Sequence, residues 1–167
     1  NNAFLYLSQH FKKYNLPIPT VFDKDESGKY YIREDLGDTT LFALIENQNN
    51  ENRFNSDIID LYKNVLKHLI SFQTKSAIDL DFANCYPRQA FDKQSLLWDL
   101  NYFKYYFLKL SDIDFDEQLL EDDFQNFADF LLQADNNFFM YRDFQSRNIM
   151  LVDNNPYFID YQGGRKG

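Results

Sequence analysis

Three oxygen-bearing side chains, Asp143, Asn148 and Asp160, lie close together near the end of the sequence. They fall in the run Tyr141-Arg-Asp-Phe-Gln-Ser-Arg-Asn148, then Ile-Met-Leu-Val152, the polar Asp153-Asn-Asn-Pro156, and Tyr157-Phe-Ile-Asp160. The apolar stretches 138–141, 149–152 and 157–161 read as short strands, and the last two form a hairpin across the polar segment. Antiparallel pairing of 149–152 with 157–160 brings Asn148 and Asp160 to one end. A carboxylate and an amide oxygen then face one pocket, with Asp143 closing the preceding strand beside them. Hard oxygen donors of this kind suit Mg²⁺, which keeps several waters and is completed by phosphate oxygens. Asp143 is left to act on a hydroxyl. Taken singly, each of the three also suits a turn or a cap. The restrictive feature is their order: D-x-x-x-x-N, strand, tight turn, strand ending in D.

The rest of the chain must position these groups. Ala3 to Tyr14 places Phe4, Leu7, Phe11 and Tyr14 on one helical face, and Pro17 and Pro19 end that helix. Thr20–Phe22 and Tyr30–Arg33 read as two strands joined by a polar turn ending at Gly28. Glu34 to Asp38 is a connector, and 46–55 is an asparagine-rich loop. Ser56 caps a helix in which Ile58, Leu61, Tyr62, Val65, Leu66, Leu69 and Phe72 keep helical spacing. A further helix is predicted from a Ser95 cap to Leu110. Another runs from Asp116 to about Ala134, with Leu120, Phe124, Phe127, Phe130 and Leu131 inward. The acidic stretch from Asp112 to Asp123 reads as a solvated helix face. The class is α+β.

Composition narrows the partners. The 167 residues carry 26 acidic and 17 basic side chains, a formal charge of −9. A surface this acidic repels phosphate backbones and anionic lipid, and there is no local basic patch, so neither nucleic acid nor a membrane surface is expected as a partner. One Trp, 12 Tyr and 18 Phe against 5 Gly and 4 Pro describe a packed chain rather than a disordered one. Its length suffices for one core without disulfides or a structural metal. Cys85 has no cysteine partner and no Cys/His neighbours at metal spacing, which points to an inert thiol in a reducing compartment. No signal-like or membrane-length apolar run occurs, so the expected location is cytoplasmic. Oligomeric state is not legible.

The C-terminal segment resembles the catalytic core of the protein-kinase-like fold, in particular the aminoglycoside phosphotransferase and choline kinase family. The family pattern H-x-D-x-x-x-x-N, hairpin, I-D is met by Tyr141-Arg-Asp143 to Asn148 and by Ile159-Asp160-Tyr-Gln-Gly163. Within that family it looks most like bacterial N-acetylmuramate/N-acetylglucosamine anomeric kinases. The resemblance implies ATP and Mg²⁺ as cofactors, a small-molecule sugar as acceptor, Asp143 as the base, and Asn148 and Asp160 as metal ligands. It also implies that backbone groups of Glu34, Asp35 and Leu36 bond the adenine edge. Met150 and Ile159 would form an apolar floor beneath the base, although core packing explains those two equally well. In these terms residues 1–36 are the remnant of an N-lobe, with bridging helix, two strands and hinge. Residues 37–167 are a mainly helical C-lobe carrying the catalytic-loop hairpin.

Departures from the family pattern carry their own expectations. Tyr141 stands where the family has a histidine, a change of packing more than of chemistry. The sequence contains no glycine-rich loop and no strand lysine ahead of the first helix, so it is expected to be an internal segment of a larger kinase and a poor catalyst alone. Trp98, Asp99, Tyr102 and the acids of 112–123 are the only acceptor-pocket candidates, and packing or a solvated surface explains each of them better. An acidic pocket would suit a cationic aminoglycoside, so an aminoglycoside or choline-type kinase is an alternative. A non-catalytic pseudokinase that binds nucleotide is another. Arg147 could touch phosphate or pair with an acid. His10 and His68 are expected on helix surfaces, without catalytic or ligand roles.

Overall fold

Helix α1 (Asn2–Lys13) turns Phe4, Leu7 and Phe11 inward as its spacing dictates, and the chain then runs as a hairpin, β1 (Val21–Lys24) and β2 (Tyr31–Arg33). In this computed structural model, which describes residues 1–48 and 55–167, the two strands are antiparallel, with Val21 opposite Arg33 and Lys24 opposite Tyr31. Gly28 closes their turn at φ +65°, a left-handed conformation that a residue without Cβ adopts freely. The short α2 (Leu41–Glu46) follows, capped by Thr40. Most of the polar stretch expected after it, residues 49–54, lies outside the described residues.

Helix α3 (Ser56–Ile70) is capped by Asn55, whose side chain accepts from the Ile58 amide, so the cap lies one residue before the expected Ser56. A single wide turn, Ser71–Lys75, carries the helix on through the fully buried Phe72. Helix α4 (Lys93–Tyr106) is likewise capped earlier than expected. Asp92 Oδ1 accepts from both the backbone amide and the hydroxyl of Ser95, so Ser95 sits inside the first turn. Asp116 caps α5 (Glu117–Leu131).

The expected inward face of α5 needs correction. Only Phe124 and Ala128 are buried, while Phe127 and Phe130 are exposed. Helix α5 packs chiefly on α4, and one main neighbour covers a narrow stripe rather than the wide one its apolar pattern could fill.

Four short strands complete the chain: β3 (Phe139–Met140), β4 (Ile149–Val152), β5 (Asn155–Phe158) and, at the end, β6 (Arg165–Lys166). Strands β4 and β5 form the expected antiparallel hairpin, Ile149 opposite Phe158. Its turn is tighter than the polar run suggested. Asp153 and Asn154 take φ of +48° and +62°, the two-residue turn that asparagine and aspartate tolerate, and Pro156 is already in the strand. The run to Tyr161 is not one strand, because Asp160 turns left-handed and Tyr161–Gly163 forms a helical turn. Strand β3 pairs with β6, which places Gly164 against the Phe139 ring. A Cβ at that glycine would run into the ring.

One aromatic core joins the first helix to the last strands. Phe11 meets Phe72, Phe139 and Tyr161 edge to face at 5.0, 5.1 and 5.4 Å, and Phe4 stacks on Tyr31 and Tyr161. Such ring pairs add to the burial of their large apolar areas. His10 belongs to this interior and not to a helix surface. It is 3% exposed, and its Nε2–H donates to the Ser76 carbonyl at 2.7 Å. The reason is periodicity, since His10 lies three residues after Leu7 and four before Tyr14 on the buried face. His68 is half-buried against Phe158. Among the described residues no helix is long and apolar enough to cross a membrane.

Candidate active site

The loop between β3 and β4 is built outward from Tyr141. Its ring is buried among Phe72, Phe139, Phe144 and Tyr161, and its hydroxyl donates to the Ile159 carbonyl at 2.8 Å. Burial, with Tyr161, Asp160 and Asp143 nearby, pushes this phenol well above its ordinary range, so it remains a donor. Tyr141 therefore ties the start of the loop to the segment that follows β5 and leads into Asp160.

Backbone conformation then aims the polar groups. Arg142 takes φ +73° and Asp160 φ +67°, left-handed positions that cost non-glycine residues strain and that persist where the surroundings fix them. Arg142 is fixed by a two-pronged contact with Asp99 on α4, at 2.7 and 3.2 Å, and by the Phe91 ring beneath its guanidinium at 4.7 Å. The Asp99 hydrogen bond raises the Arg142 pKa further. Asp143 follows immediately, exposed, with its amide bonded to the Tyr141 carbonyl.

Asn148 stands just before β4. Its side-chain amide donates to the Asp143 carbonyl at 3.0 Å and, at 3.4 Å, to Asp160 Oδ2. The amide nitrogen is thus spent within the loop, and Oδ1 is left for a ligand. Gln162 Nε2 donates to the other oxygen of Asp160. The hairpin register does the rest, as the Ile159 amide bonds the Asn148 carbonyl and draws the two ends together.

The structure therefore brings Asp143, Asn148 and Asp160 to one place. A carboxylate and a free amide oxygen are a donor set suited to Mg²⁺ completed by phosphate and water. Among the described residues no three His, Cys, Asp or Glu side chains form a metal-binding group, so this pair would bind a metal only together with its ligand's oxygens.

A second grouping lies beside the first. Glu34, Asp35 and Leu36 line one cleft with Met150 and Ile159, together with Pro19, Arg33 and Gly37; its volume is about 280 Å³. Met150 is held there because Thr40 bridges to it and the Thr39 carbonyl accepts the Leu151 amide. Glu34 is anchored at both ends, its amide on the Thr20 carbonyl and its carboxylate on the Thr20 amide. An adjoining cleft of about 350 Å³ is lined by Asn148, Asp160 and Gln162 with Phe4, Tyr31 and Arg33. Arg33 and Ile159 line both.

The remaining candidates are placed elsewhere. The Arg147 guanidinium lies over the Phe42 ring at 4.0 Å, a packing position on α2. Asp99 is the partner of Arg142, Trp98 lies under Arg88, and Tyr102 stacks on Tyr106 at the surface. Cys85 is buried, and burial pushes its thiol up to about 11, so it is no nucleophile. Sequence reasoning missed Arg33, Gln162 and the buttressing role of Arg142. For Arg33 the signal was available, since it directly precedes the connector and shares strand parity with Tyr31.

No protein-family model matches the chain, and no curated protein matches it.

Proposed function

We propose that this chain carries the nucleotide and metal site of a small-molecule phosphotransferase with a protein-kinase-like arrangement, using ATP and Mg²⁺ and acting on a sugar hydroxyl. The observation that supports this best is the continuity of the two clefts. One is lined by the connector segment and an apolar Met150–Ile159 floor, the other by Asn148 and Asp160, and they share a wall. That is the layout a nucleotide needs, with a flat apolar slot for a base and oxygen ligands where its phosphates end.

Mg²⁺ and ATP, when bound, would supply the transferable phosphoryl group and neutralise its charge. Asn148 Oδ1 and Asp160 would hold the metal. Backbone groups of Glu34 to Leu36 would bond the base edge, and the apolar side chains of Met150 and Ile159 would exclude water from its face. Asp143, exposed and with its backbone fixed by the Tyr141 carbonyl and the Asn148 amide, accepts the proton of the acceptor hydroxyl. Positioning and charge placement are the protein's main tasks in such a transfer.

The test is ATP consumption by the full-length protein with Mg²⁺ and a panel of N-acetylhexosamines, aminoglycosides and choline. Turnover with an N-acetylhexosamine supports the reading, and turnover with an aminoglycoside or choline moves the acceptor class. Asp143→Asn is expected to lower turnover by about 10² or more while nucleotide affinity stays near that of the wild type. Equal loss of binding and turnover removes Asp143 from the role of base. Nucleotide binding without turnover on any acceptor leaves a binding module.

A further inference from the structure

We infer that Arg33 is the cation that holds the phosphate chain of the bound nucleotide. The inference rests on the nucleotide reading above and adds a residue to it. A ligand reaching from the cleft of Glu34, Asp35 and Leu36 to Asn148 and Asp160 must cross the stretch that both clefts share. Only Arg33 and Ile159 line both among the described residues, and Ile159 carries no charge.

Strand geometry places Arg33 there. It ends β2 on the same face as Tyr31, whose ring stacks on Phe4 of the core, while the intervening Ile32 is 64% exposed on the opposite face. Arg33 itself is exposed, open to a ligand arriving from solvent, and its charge works against the rise that burial imposes on the Tyr161 phenol.

Neighbouring charges make the position distinctive. The other charged side chains lining the two clefts are those of Glu34, Asp35 and Asp160, all acidic. Glu34 is committed to the Thr20 amide, Asp35 to the Gly37 amide at 2.9 Å, and Asp160 to Gln162 and Asn148. Among the described residues no carboxylate lies within ion-pair distance of Arg33, although the chain as a whole carries a charge of −9. A polyanion entering acidic clefts needs a cation, and an arginine fork grips phosphate oxygens two at a time.

Calorimetric titration of the full-length protein with Mg·ATP and with adenosine tests this. The wild type is expected to bind both. Arg33→Met should weaken Mg·ATP by about tenfold or more and leave adenosine unchanged, because a charge-assisted bond to phosphate is lost while the base cleft is untouched. Arg33→Lys, which keeps the charge and loses the fork, should fall between them. Unchanged Mg·ATP affinity in both variants overturns the role of Arg33 and leaves the nucleotide reading standing. Parallel weakening of adenosine overturns it as well, since Arg33 would then support the base cleft. Failure of the wild type to bind either probe overturns both the inference and the reading beneath it.

Discussion

Around α1 and the C-terminal hairpin, Phe11, Phe72, Phe139, Phe158 and Tyr161 are all fully buried, ring against ring. Across α4 and α5, residues of the same types stay outside: Tyr102, Tyr106, Phe107 and Phe130 are each more than half exposed. There ion pairs add to a narrow apolar seam of Leu96, Phe124 and Ala128. Lys104, only 3% exposed, reaches Glu121 and, at 3.2 Å, Glu117, while Lys109 reaches Glu117 at 2.6 Å. Aromatic content therefore says little about stability by itself, because the burial a ring achieves depends on how many elements close over it. The candidate site stands on the densely packed side, so its loop is fixed by rings and backbone bonds. It touches the other side through Arg142 and Asp99.

The largest expected effect contrasts one ring from each region. Phe72→Ala should cost about 3–5 kcal/mol, the transfer term plus the cavity left among Phe11, Tyr141 and Phe158. Phe130→Ala on α5 should stay within about 0.5 kcal/mol, as is usual for surface changes. Urea unfolding of both variants measures the pair, and similar losses would break the comparison.

A smaller effect is expected where the regions meet. A double-mutant cycle of Arg142→Ala and Asp99→Ala should give a coupling of about 0.2–1 kcal/mol, since the Asp99 carboxylate is half exposed and water screens the pair. A coupling near zero would mean that Phe91 alone holds Arg142.

The smallest effect is a local one in pH. Lys109, then Lys104, hold the Glu117 carboxyl below its ordinary value of 4.5. A carboxylate whose pKa is depressed by folding stabilises fully above its unfolded value and loses that contribution as pH falls through the folded one. On acidification below the ordinary glutamate range, α4 and α5 amides should therefore exchange hydrogen faster before α1 amides do. Glu117→Gln should remove that pH dependence, and amide exchange followed by NMR reads both. Simultaneous loss of protection in the two regions would count against a separate electrostatic joint.

Much of the fold is legible in residue order. The spacing of Phe4, Leu7 and Phe11 gives α1, Asp153-Asn154 between two apolar runs gives the β4–β5 hairpin, and the register of that hairpin brings Asn148 to Asp160. These are local rules, with a period of 3.6 or 2 and a turn type that few residues accept. Reading failed where the answer depends on what lies opposite. Phe127 and Phe130 fit an inward face, yet α4 is the main element that covers α5 and leaves both exposed. His10 looks like a polar surface residue, yet the wide turn after α3 offers it the Ser76 carbonyl. Ser56 and Ser95 are good caps by type, but Asn55 and Asp92 each lie where a side-chain oxygen meets the free amide three residues on.

The sequence by itself determined which chemistry is available: Asp143, Asn148 and Asp160 in an order that a strand, turn and strand convert into a cluster. That Glu34, Asp35 and Leu36, over a hundred residues away in the chain, would meet Met150 and Ile159 was implied by resemblance alone, and only the tertiary structure decided that they share a cleft and that Arg33 stands between it and Asp160. Local propensity acts over a few residues. Contacts between distant segments are set by how buried faces pack, and here that packing runs through α1, whose rings hold β2 on one side and Tyr161 on the other.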